Sequence, residues 1–356
     1  MSLKDFYQGK KVFLTGHTGF KGTWMCSVLR YLGAEVTGYA LSPPTDPSLF
    51  RISGMEKKIN SIIGDVQNLE GLEQALRTVQ PEIVIHMAAQ PLVRESYERP
   101  VNTYAVNVMG TVHVLECIRQ NDCVKSFINV TTDKVYKNKE WVWGYRENEE
   151  LNGYDPYSNS KSCSELVTDS YRNSFFQDRE TAISTVRAGN VIGGGDFAKD
   201  RIIPDCIRAA RKGEDIFVRN PHSVRPYQHV LEPVLAYLLL IKEQYEDKKK
   251  AGSYNVGPEE RDCFTTGELT DLFCKKWNAC FSSNIKWFSS YREGPHEANY
   301  LKLDCSKIKR CIKWQPLWDM ETVMDKIIQW NKVYCTDGDV SVCMEEQVCD
   351  YINLMY

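Results

Sequence analysis

The sequence predicts an α/β protein: a doubly wound parallel sheet with a smaller C-terminal α+β lobe. Three observations carry that prediction. Short apolar runs alternate with helix-period stretches through the first 190 residues of the 356-residue chain. A glycine-rich turn, Gly16-His17-Thr18-Gly19-Phe20-Lys21-Gly22, separates the first apolar run from the first helical stretch. Beyond residue 190 the alternation fades into short strands and long helices. Regular alternation argues for parallel strands whose two faces are both covered by helices.

Residues 11–15 (KVFLT) form a short apolar run ending at a glycine, the pattern of a buried strand. The helical stretch TWMCSVLRYLG follows the glycine turn and stops at Gly33. Residues 35–41 make the second strand. Strand, glycine turn, helix and strand in this order make the Rossmann-type βαβ unit that binds a dinucleotide. Gly16 permits the tight turn, Gly19 lets the backbone approach a pyrophosphate, and Gly22 lets the helix pack closely. The diphosphate then sits on the helix N-terminus, where free N–H groups and the helix dipole favour an anion. Thr18, Phe20 and Lys21 complete this cofactor loop. The acid expected at the end of the second strand is missing. The segment reads Tyr39-Ala40-Leu41-Ser42-Pro43-Pro44, so Ser42 is the candidate partner for a ribose hydroxyl. No arginine stands there for a 2′-phosphate, and the position does not decide between NAD and NADP.

The third strand, residues 59–63, ends in Gly64-Asp65-Val66. Two roles fit Asp65: accepting from an adenine amino group, or capping the helix at 69–79. The fourth strand, 83–86, leads into Met87-Ala88-Ala89-Gln90, small residues against which a cofactor can lie. A long helix over 101–119 carries Asn107. The fifth strand, 125–130, delivers Thr131-Thr132-Asp133-Lys134 at its carboxyl end, where catalytic side chains collect in open α/β sheets. A helix over 155–177 carries Tyr157 and Lys161, and residues 181–188 form the sixth strand. Further on, helices are expected at 201–211, 231–245, 266–277, 320–333 and 340–352. Strands are expected at 216–219, 254–256 and 285–287. The charged stretch 246–250 reads as a solvated helix end. The domain reading is therefore a cofactor-binding domain over 1–190 and a mainly substrate-binding lobe over 191–356, some of whose segments return to the sheet.

Composition excludes several classes. Hydrophobic residues make up 42% and charged residues 26%, with a net charge of −3, so nothing invites nucleic acid or an anionic membrane. No apolar run approaches the length of a membrane span, and the polar N-terminus runs straight into a strand with no secretory signal. The 13 cysteines are scattered and odd in number. They read as free thiols of a reducing cytoplasm rather than as disulfides. Cys274 with Cys280, and Cys305 with Cys311, lack partners at zinc-like spacing, so no metal site is expected.

The chemistry concentrates at Tyr157-Ser158-Asn159-Ser160-Lys161 and at Thr132-Asp133-Lys134. A tyrosine and a lysine four apart share one helix face. The lysine charge is expected to favour the phenolate and lower the tyrosine pKa, making Tyr157 a base for a sugar or alcohol hydroxyl. Asp133 and Lys134 add a further acid–base pair beside the tyrosine.

Together these segments resemble the extended short-chain dehydrogenase/reductase family over nearly the full length. Within it, four segments resemble the nucleotide-sugar 4,6-dehydratases that act on CDP-glucose: Gly16 to Trp24, Thr132 to Tyr136, Val224 to Pro233, and His296-Glu297-Ala298-Asn299. The resemblance implies bound NAD, hydride removal from C4 of the glucose unit, loss of water across C5 and C6, and hydride return to C6. Tyr157 would take the C4 hydroxyl proton, Thr132 would hydrogen-bond that oxygen, and Lys161 would hold the ribose. Asp133 would be the acid for the departing hydroxyl. In the related dTDP-glucose enzymes a glutamate, serving as the C5 base, takes the place of Lys134. Here the lysine is either that base or an electrostatic stabiliser of the enolate. Asn190, Arg201, Arg225 and Gln228 are candidate substrate contacts. Gln90 and Arg94 are candidates for hexose or cofactor, and Asn107 for ordering the proton-relay region. His229 is expected to be structural. The long helices 101–119 and 155–177 would pair with a second copy in a four-helix homodimer interface, with tetramers also open. Rival readings are a dehydratase of another nucleotide hexose, a nucleotide-sugar 4-epimerase or decarboxylase, and an inactive cofactor-binding regulator.

Overall fold

The computed structural model describes residues 1–290 and 300–356. The segment His296-Glu297-Ala298-Asn299 lies outside the described residues. Seven strands form the main sheet: β1 Lys11–Thr15, β2 Glu35–Ala40, β3 Asn60–Ile63, β4 Ile83–His86, β5 Ser126–Val130, β6 Ala182–Ala188 and β7 Ser253–Val256. Their order is β7-β6-β5-β4-β1-β2-β3, and every neighbouring pair is parallel. The strand order reverses between β1 and β4, so a crevice opens at their carboxyl ends, where open α/β sheets bind ligands.

The apolar strands β1, β4, β5 and β6 are buried on both faces, which is why they read as continuous hydrophobic runs. On one face, Trp24, Met25, Val28 and Leu29 of helix Phe20–Tyr31 join Val234, Leu238 and Ile241 of helix Leu231–Glu246 in the larger core. On the other, Leu72 and Leu76 of helix Leu69–Val79 pack with Val114, Leu115 and Ile118 of helix Gly110–Arg119. β7 comes from the C-terminal half and pairs with β6, Ser253 opposite Thr185. Three ladders of two-residue strands lie above the carboxyl edge of the sheet: Val191–Ile192 with Gln228–His229, Val224–Arg225 with Phe264–Thr265, and Ile216–Phe217 with Trp287–Phe288.

Several elements differ from the sequence expectation. The helix expected over 101–119 is interrupted. Helix Pro100–Tyr104 passes through a wide π turn, Ala105–Met109, into helix Gly110–Arg119. Asn107 sits in that turn with its amide bonded to the Gln90 backbone, and π turns of this kind mark functional positions. The short helices Leu3–Tyr7, Val93–Glu98 and Ser306–Ile312 were not anticipated, being too short for periodicity to register. The charged stretch 246–250 is the solvated end expected, helix Leu231–Glu246 stopping at Glu246 with Glu246, Asp247 and Lys249 exposed. Lys248 turns back and donates through Nζ to the carbonyls of Phe176 and Gln177 at 2.6 and 2.7 Å, just past the end of helix Pro156–Phe175. All 13 cysteines are free, and no group of metal-ligating side chains occurs among the described residues. No helix of the described residues is long and apolar enough to cross a membrane.

Candidate active site

The glycine turn between β1 and helix Phe20–Tyr31 is shaped by its own backbone. Gly16 has φ +81°, and a Cβ there would lie 2.7 Å from the Ala88 amide nitrogen. A Cβ on Gly22 would lie 2.1 Å from the Gly16 carbonyl oxygen, so this glycine lets the first helical turn close against the loop itself. Gly19 is different. Nothing in the protein stands closer than 3.6 Å to its missing Cβ, so it leaves the loop surface open to the cleft. Thr18 turns its hydroxyl to the Leu41 carbonyl at 2.8 Å and ties the loop to the end of β2.

The cleft above β1 and β4 has a volume of about 2750 Å³. That exceeds the roughly 300–1,000 Å³ of a single small-molecule pocket, leaving room for two nucleotide-sized ligands. The glycine loop, Ser42, Asp65, Val66, Ala88 and Ala89 line one part of it. Thr132, Asp133, Lys134, Tyr157, Lys161, Asn190, Arg201 and Arg225 line the other. Asp65 does not cap the next helix; Asn68 does, accepting from the Gly71 N–H, while Asp65 Oδ1 accepts from the Gln67 N–H at 2.9 Å. Arg94 also lines the cleft and pairs with Asp200, 3.6 Å away.

Two expected contacts, Gln90 and Gln228, lie elsewhere, and Asn107 takes the ordering place expected of it. Gln90 is buried with its amide bonded to the Leu92 backbone and to the Thr103 hydroxyl, and it does not line the cleft. A direct contact of the Gln90 side chain with hexose or cofactor is thereby corrected. Asn107 lies beneath the cleft. Its amide spans Gln90 N, Gln90 O and the Ser160 hydroxyl at 2.9–3.1 Å, fixing the loop after β4 to helix Pro156–Phe175. Gln228 is buried and donates to the Val256 carbonyl at 3.0 Å, which holds the lobe on β7 rather than facing a ligand. Each amide points inward because it satisfies backbone groups left without sheet partners.

At the centre, β5 ends at Val130, and Thr132 caps a 3₁₀ turn, Asp133–Val135, in which Asp133 and Val135 are buried. Ser162 of helix Pro156–Phe175 donates to the Val135 carbonyl at 2.7 Å and fastens that turn to the helix. The helix begins at Asp155, whose carboxylate accepts from the Ser158 N–H at 2.9 Å, and Pro156 occupies its first turn. This entry sets Tyr157 above the strand end. Thr132 Oγ1 donates to Asp133 Oδ1 at 2.9 Å, and the same hydroxyl lies near enough to the Tyr157 phenol to act on its titration. Asp133 is 1% exposed, and its Oδ2 has no partner among the described residues. Burial raises the Asp133 carboxyl above the ordinary aspartate range, which suits a proton donor.

The titration of the tyrosine–lysine pair corrects the sequence reading. Burial is the largest influence on Tyr157 and pushes it up to about 12, with Thr132 and Arg201 acting in the opposite sense. Lys161 instead donates to the Val130 carbonyl at 3.2 Å, and burial lowers it to about 8. Shared helix face did not fix the direction of the lysine side chain; the strand beneath it did. Lys21, assigned from sequence only to the cofactor loop, belongs to this electrostatic cluster. Burial first, then Arg201 and Lys161, lower it to about 7, while Asp133 opposes the shift. Lys21, Lys134, Lys161, Arg201 and Arg225 around one acid make the cleft suited to the diphosphates of dinucleotides and nucleotide sugars. Arg201 is held by Asp196, 3.0 Å away.

Sequence reasoning missed the scaffold below. Glu165 pairs with Arg187 at 2.9 Å, with 1% and 3% of their side chains exposed. Glu165 also accepts from Thr131 and Thr185, and Arg187 donates to Tyr136, which donates to Asn255 of β7. This network ties β5, β6 and β7 under the catalytic turn. Only the placement of a charge inside a helix and another inside an apolar strand signalled it. His229 is structural: it is fully buried, and burial lowers it to about 3.

The family model described as GDP-mannose 4,6 dehydratase matches residues 13–327. The chain is 47% identical over 356 residues to the CDP-glucose 4,6-dehydratase of Salmonella typhimurium, with 98% of each covered. It is 25% identical to a probable dTDP-glucose 4,6-dehydratase of Sinorhizobium fredii, covering 90% of this chain and 92% of that one. Among solved structures it resembles dTDP-glucose 4,6-dehydratase from Bacillus anthracis in complex with NAD. That likeness has a TM-score of 0.74 at 19% identity and covers 91% of this chain and 97% of the other. UDP-glucose 4-epimerase from Stenotrophomonas maltophila is a further likeness, with a TM-score of 0.79 at 18% identity and coverage of 92% and 100%. On the breadth of the family match and the identity to a relative covered almost end to end, the chain belongs to the GDP-mannose 4,6 dehydratase family, within the short-chain dehydrogenase/reductase fold.

Proposed function

We propose that the protein is a nucleotide-sugar 4,6-dehydratase that converts CDP-D-glucose to CDP-4-dehydro-6-deoxy-D-glucose with NAD as a recycled cofactor. The observation that carries the dehydration is the buried Asp133, which accepts from the Thr132 hydroxyl in the cleft that Tyr157 also lines. A 4-epimerase needs a base at C4 and has no use for a second buried acid beside it. The choice of CDP-glucose rests on the 47% identical relative.

The residues fit NAD. The tight backbone at Gly16 and Gly22 and the open surface at Gly19 leave helix Phe20–Tyr31 free to receive a diphosphate on its N-terminus. Thr18, Phe20, Lys21, Ser42, Asp65, Val66, Ala88 and Ala89 would complete the site, with Lys161 and Tyr157 at its reactive end. NAD supplies, when bound, a two-electron acceptor at C4 that becomes the donor at C6. Tyr157 takes the C4 hydroxyl proton, and Lys161 and Thr132 orient that end of the sugar. Asp133 protonates the departing C6 hydroxyl through Oδ2, the oxygen that no described residue occupies. Lys134, facing the same cleft, takes the C5 proton as the water leaves and returns it to C5 as the hydride reaches C6. Arg201, Arg225, Asn190 and Arg94 receive the nucleotide diphosphate and hexose.

Residues 1–190 would mainly hold the cofactor and 191–356 the nucleotide sugar. A homodimer through the two long helices accords with Val101, Met109, Leu166 and Phe175, apolar side chains that stand 82%, 47%, 56% and 46% exposed. The free thiols suit a cytoplasmic setting. The test is a panel of CDP-, dTDP-, GDP- and UDP-glucose and GDP-mannose with NAD, followed by mass and proton NMR. Loss of water with a new C6 methyl from CDP-glucose alone is the expected result. An isomer of unchanged mass would replace the reading with an epimerase.

A further inference from the structure

We infer that Asp200 is a positioning residue: its carboxylate, shared between Arg94 and Arg219, clasps the two walls of the cleft and keeps the oxidised sugar from leaving before its hydride is returned. This rests on the proposed dehydration and goes beyond it to the retention of the sugar between steps. The chemistry makes retention matter. The C4–H bond breaks with both electrons leaving as hydride to the cofactor, and the hydroxyl proton goes to Tyr157. The sugar is then a C4 ketone, two electrons short. It stays so through the loss of water until the hydride forms the new bond at C6. A sugar that escapes in that interval leaves its two electrons behind, and the protein stops until the reduced cofactor is exchanged.

Three separate segments meet at Asp200. Arg94 stands on helix Val93–Glu98, in the half of the chain that follows β4. Asp200 lies between strand Val191–Ile192 and helix Ile202–Lys212, and Arg219 follows strand Ile216–Phe217. All three line the cleft. Asp200 Oδ1 accepts from Arg219 Nη1 at 2.7 Å and lies 3.6 Å from Arg94 Nη1. The Asp200 carbonyl accepts from Arg219 Nη2 at 3.2 Å. One carboxylate thus joins a segment of the cofactor half to two segments of the C-terminal half. The backbone is shaped to present it. Asp200 has φ +60°. Gln80, Ser282 and Lys313 share that conformation as helix C-caps, where it is usual, but Asp200 ends no helix. Left-handed backbone at other places collects at functional positions, and aspartate is one of the residues that adopt it. Both sides of the clasp are anchored. Arg208 donates to the carbonyls of Phe197 and Ala198 at 3.2 and 3.1 Å, and Asp196 holds Arg201 at 3.0 Å, so the loop carrying Asp200 is fixed. Gln90, just ahead of the Arg94 helix, is tied to Asn107 at 2.9 Å.

The experiment compares wild type, D200N and R219M, each loaded with NAD and given CDP-glucose until it is consumed. Escape per turnover is the reduced cofactor left on the protein, read by its near-ultraviolet absorbance, divided by the finished product, read by mass. The escaped oxidised sugar appears free in solution in the same amount. Asparagine also adopts the left-handed backbone, so D200N removes the charge and keeps the loop. Thermal midpoints near that of the wild type show which variants are folded. Each folded variant should raise the escape ratio about three- to fivefold, the reach of an exposed ion pair. Initial kcat should stay within about twofold of wild type, and activity should decay faster and return when NAD is added. Raising KCl should lift the wild-type ratio toward that of D200N and leave D200N unchanged, because salt screens exposed pairs. An escape ratio in a folded variant below about twice that of the wild type, or the same response to KCl in wild type and D200N, would overturn the clasp and leave the dehydration standing. Absence of water loss by the wild type would overturn the clasp together with the function on which it rests.

Discussion

Replacing Asp133 with asparagine keeps the size of the side chain and an acceptor for the Thr132 hydroxyl, and removes the proton that the departing hydroxyl needs. Because the residue is 1% exposed and bonded through Oδ1, the variant should keep the wild-type backbone at the end of β5. Activity and stability are then expected to move in opposite directions. A placed general acid is worth about 10²–10⁴-fold in rate, or roughly 2.7–5.4 kcal/mol at ~1.36 kcal/mol per tenfold. The kcat for water loss from CDP-glucose should fall by that factor, with little change in substrate binding. Burial holds the Asp133 carboxyl above its ordinary value of 3.8, so the folded chain binds this proton more tightly than the unfolded one. The ionised form therefore costs stability at neutral pH, and that cost disappears as pH falls below 3.8. D133N should unfold at higher urea than wild type at pH 7, and the two midpoints should converge in acid. Product mass spectrometry and urea melts at several pH values check both. A variant within tenfold of wild-type kcat, or one less stable than wild type at pH 7, would refute the assignment of a buried proton donor.

Three further outcomes are expected. Burial raises Glu232 to about 7 while it accepts from the Leu317 and Trp318 amides and from Tyr351, so its contribution is full below 4.5 and is lost as pH rises through 7. Glu232→Gln, whose amide can still accept from both backbone N–H groups, should flatten the decline of the unfolding midpoint between pH 4.5 and 7; an unchanged decline would remove Glu232 as its source. Arg187→Met leaves Glu165 buried without its cation and should cost about 3–5 kcal/mol in denaturant unfolding, with part regained in Arg187→Met/Glu165→Leu. Gly16→Ala forces a Cβ to 2.7 Å from the Ala88 nitrogen at φ +81°, and roughly 1–3 kcal/mol of strain should weaken NAD binding by about tenfold or more in calorimetric titration.

Residue type and spacing alone set the architecture. β1, the glycine turn, the helix after it and the alternation through Ala188 follow from local patterns of two and 3.6 residues, and strands buried on both faces announce themselves as apolar runs. The same local logic placed Thr132 and Asp133 at a strand's carboxyl end and Tyr157 and Lys161 on the next helix. What the sequence could not supply is direction at long range. Gln90 and Gln228 looked like ligand contacts, yet each turns to backbone groups that only the folded chain leaves without partners. Lys161 faces the Val130 carbonyl, burial dominates the titration of Tyr157, and Lys21 enters the charge cluster from a loop more than one hundred residues away in sequence from Asp133. β7 joins the sheet from residue 253, and Glu165 meets Arg187 beneath it. Local periodicity fixes which face a residue occupies. Burial, hydrogen-bond completion and the field of neighbouring charges are sums over residues distant in the chain, and only the tertiary structure decides them.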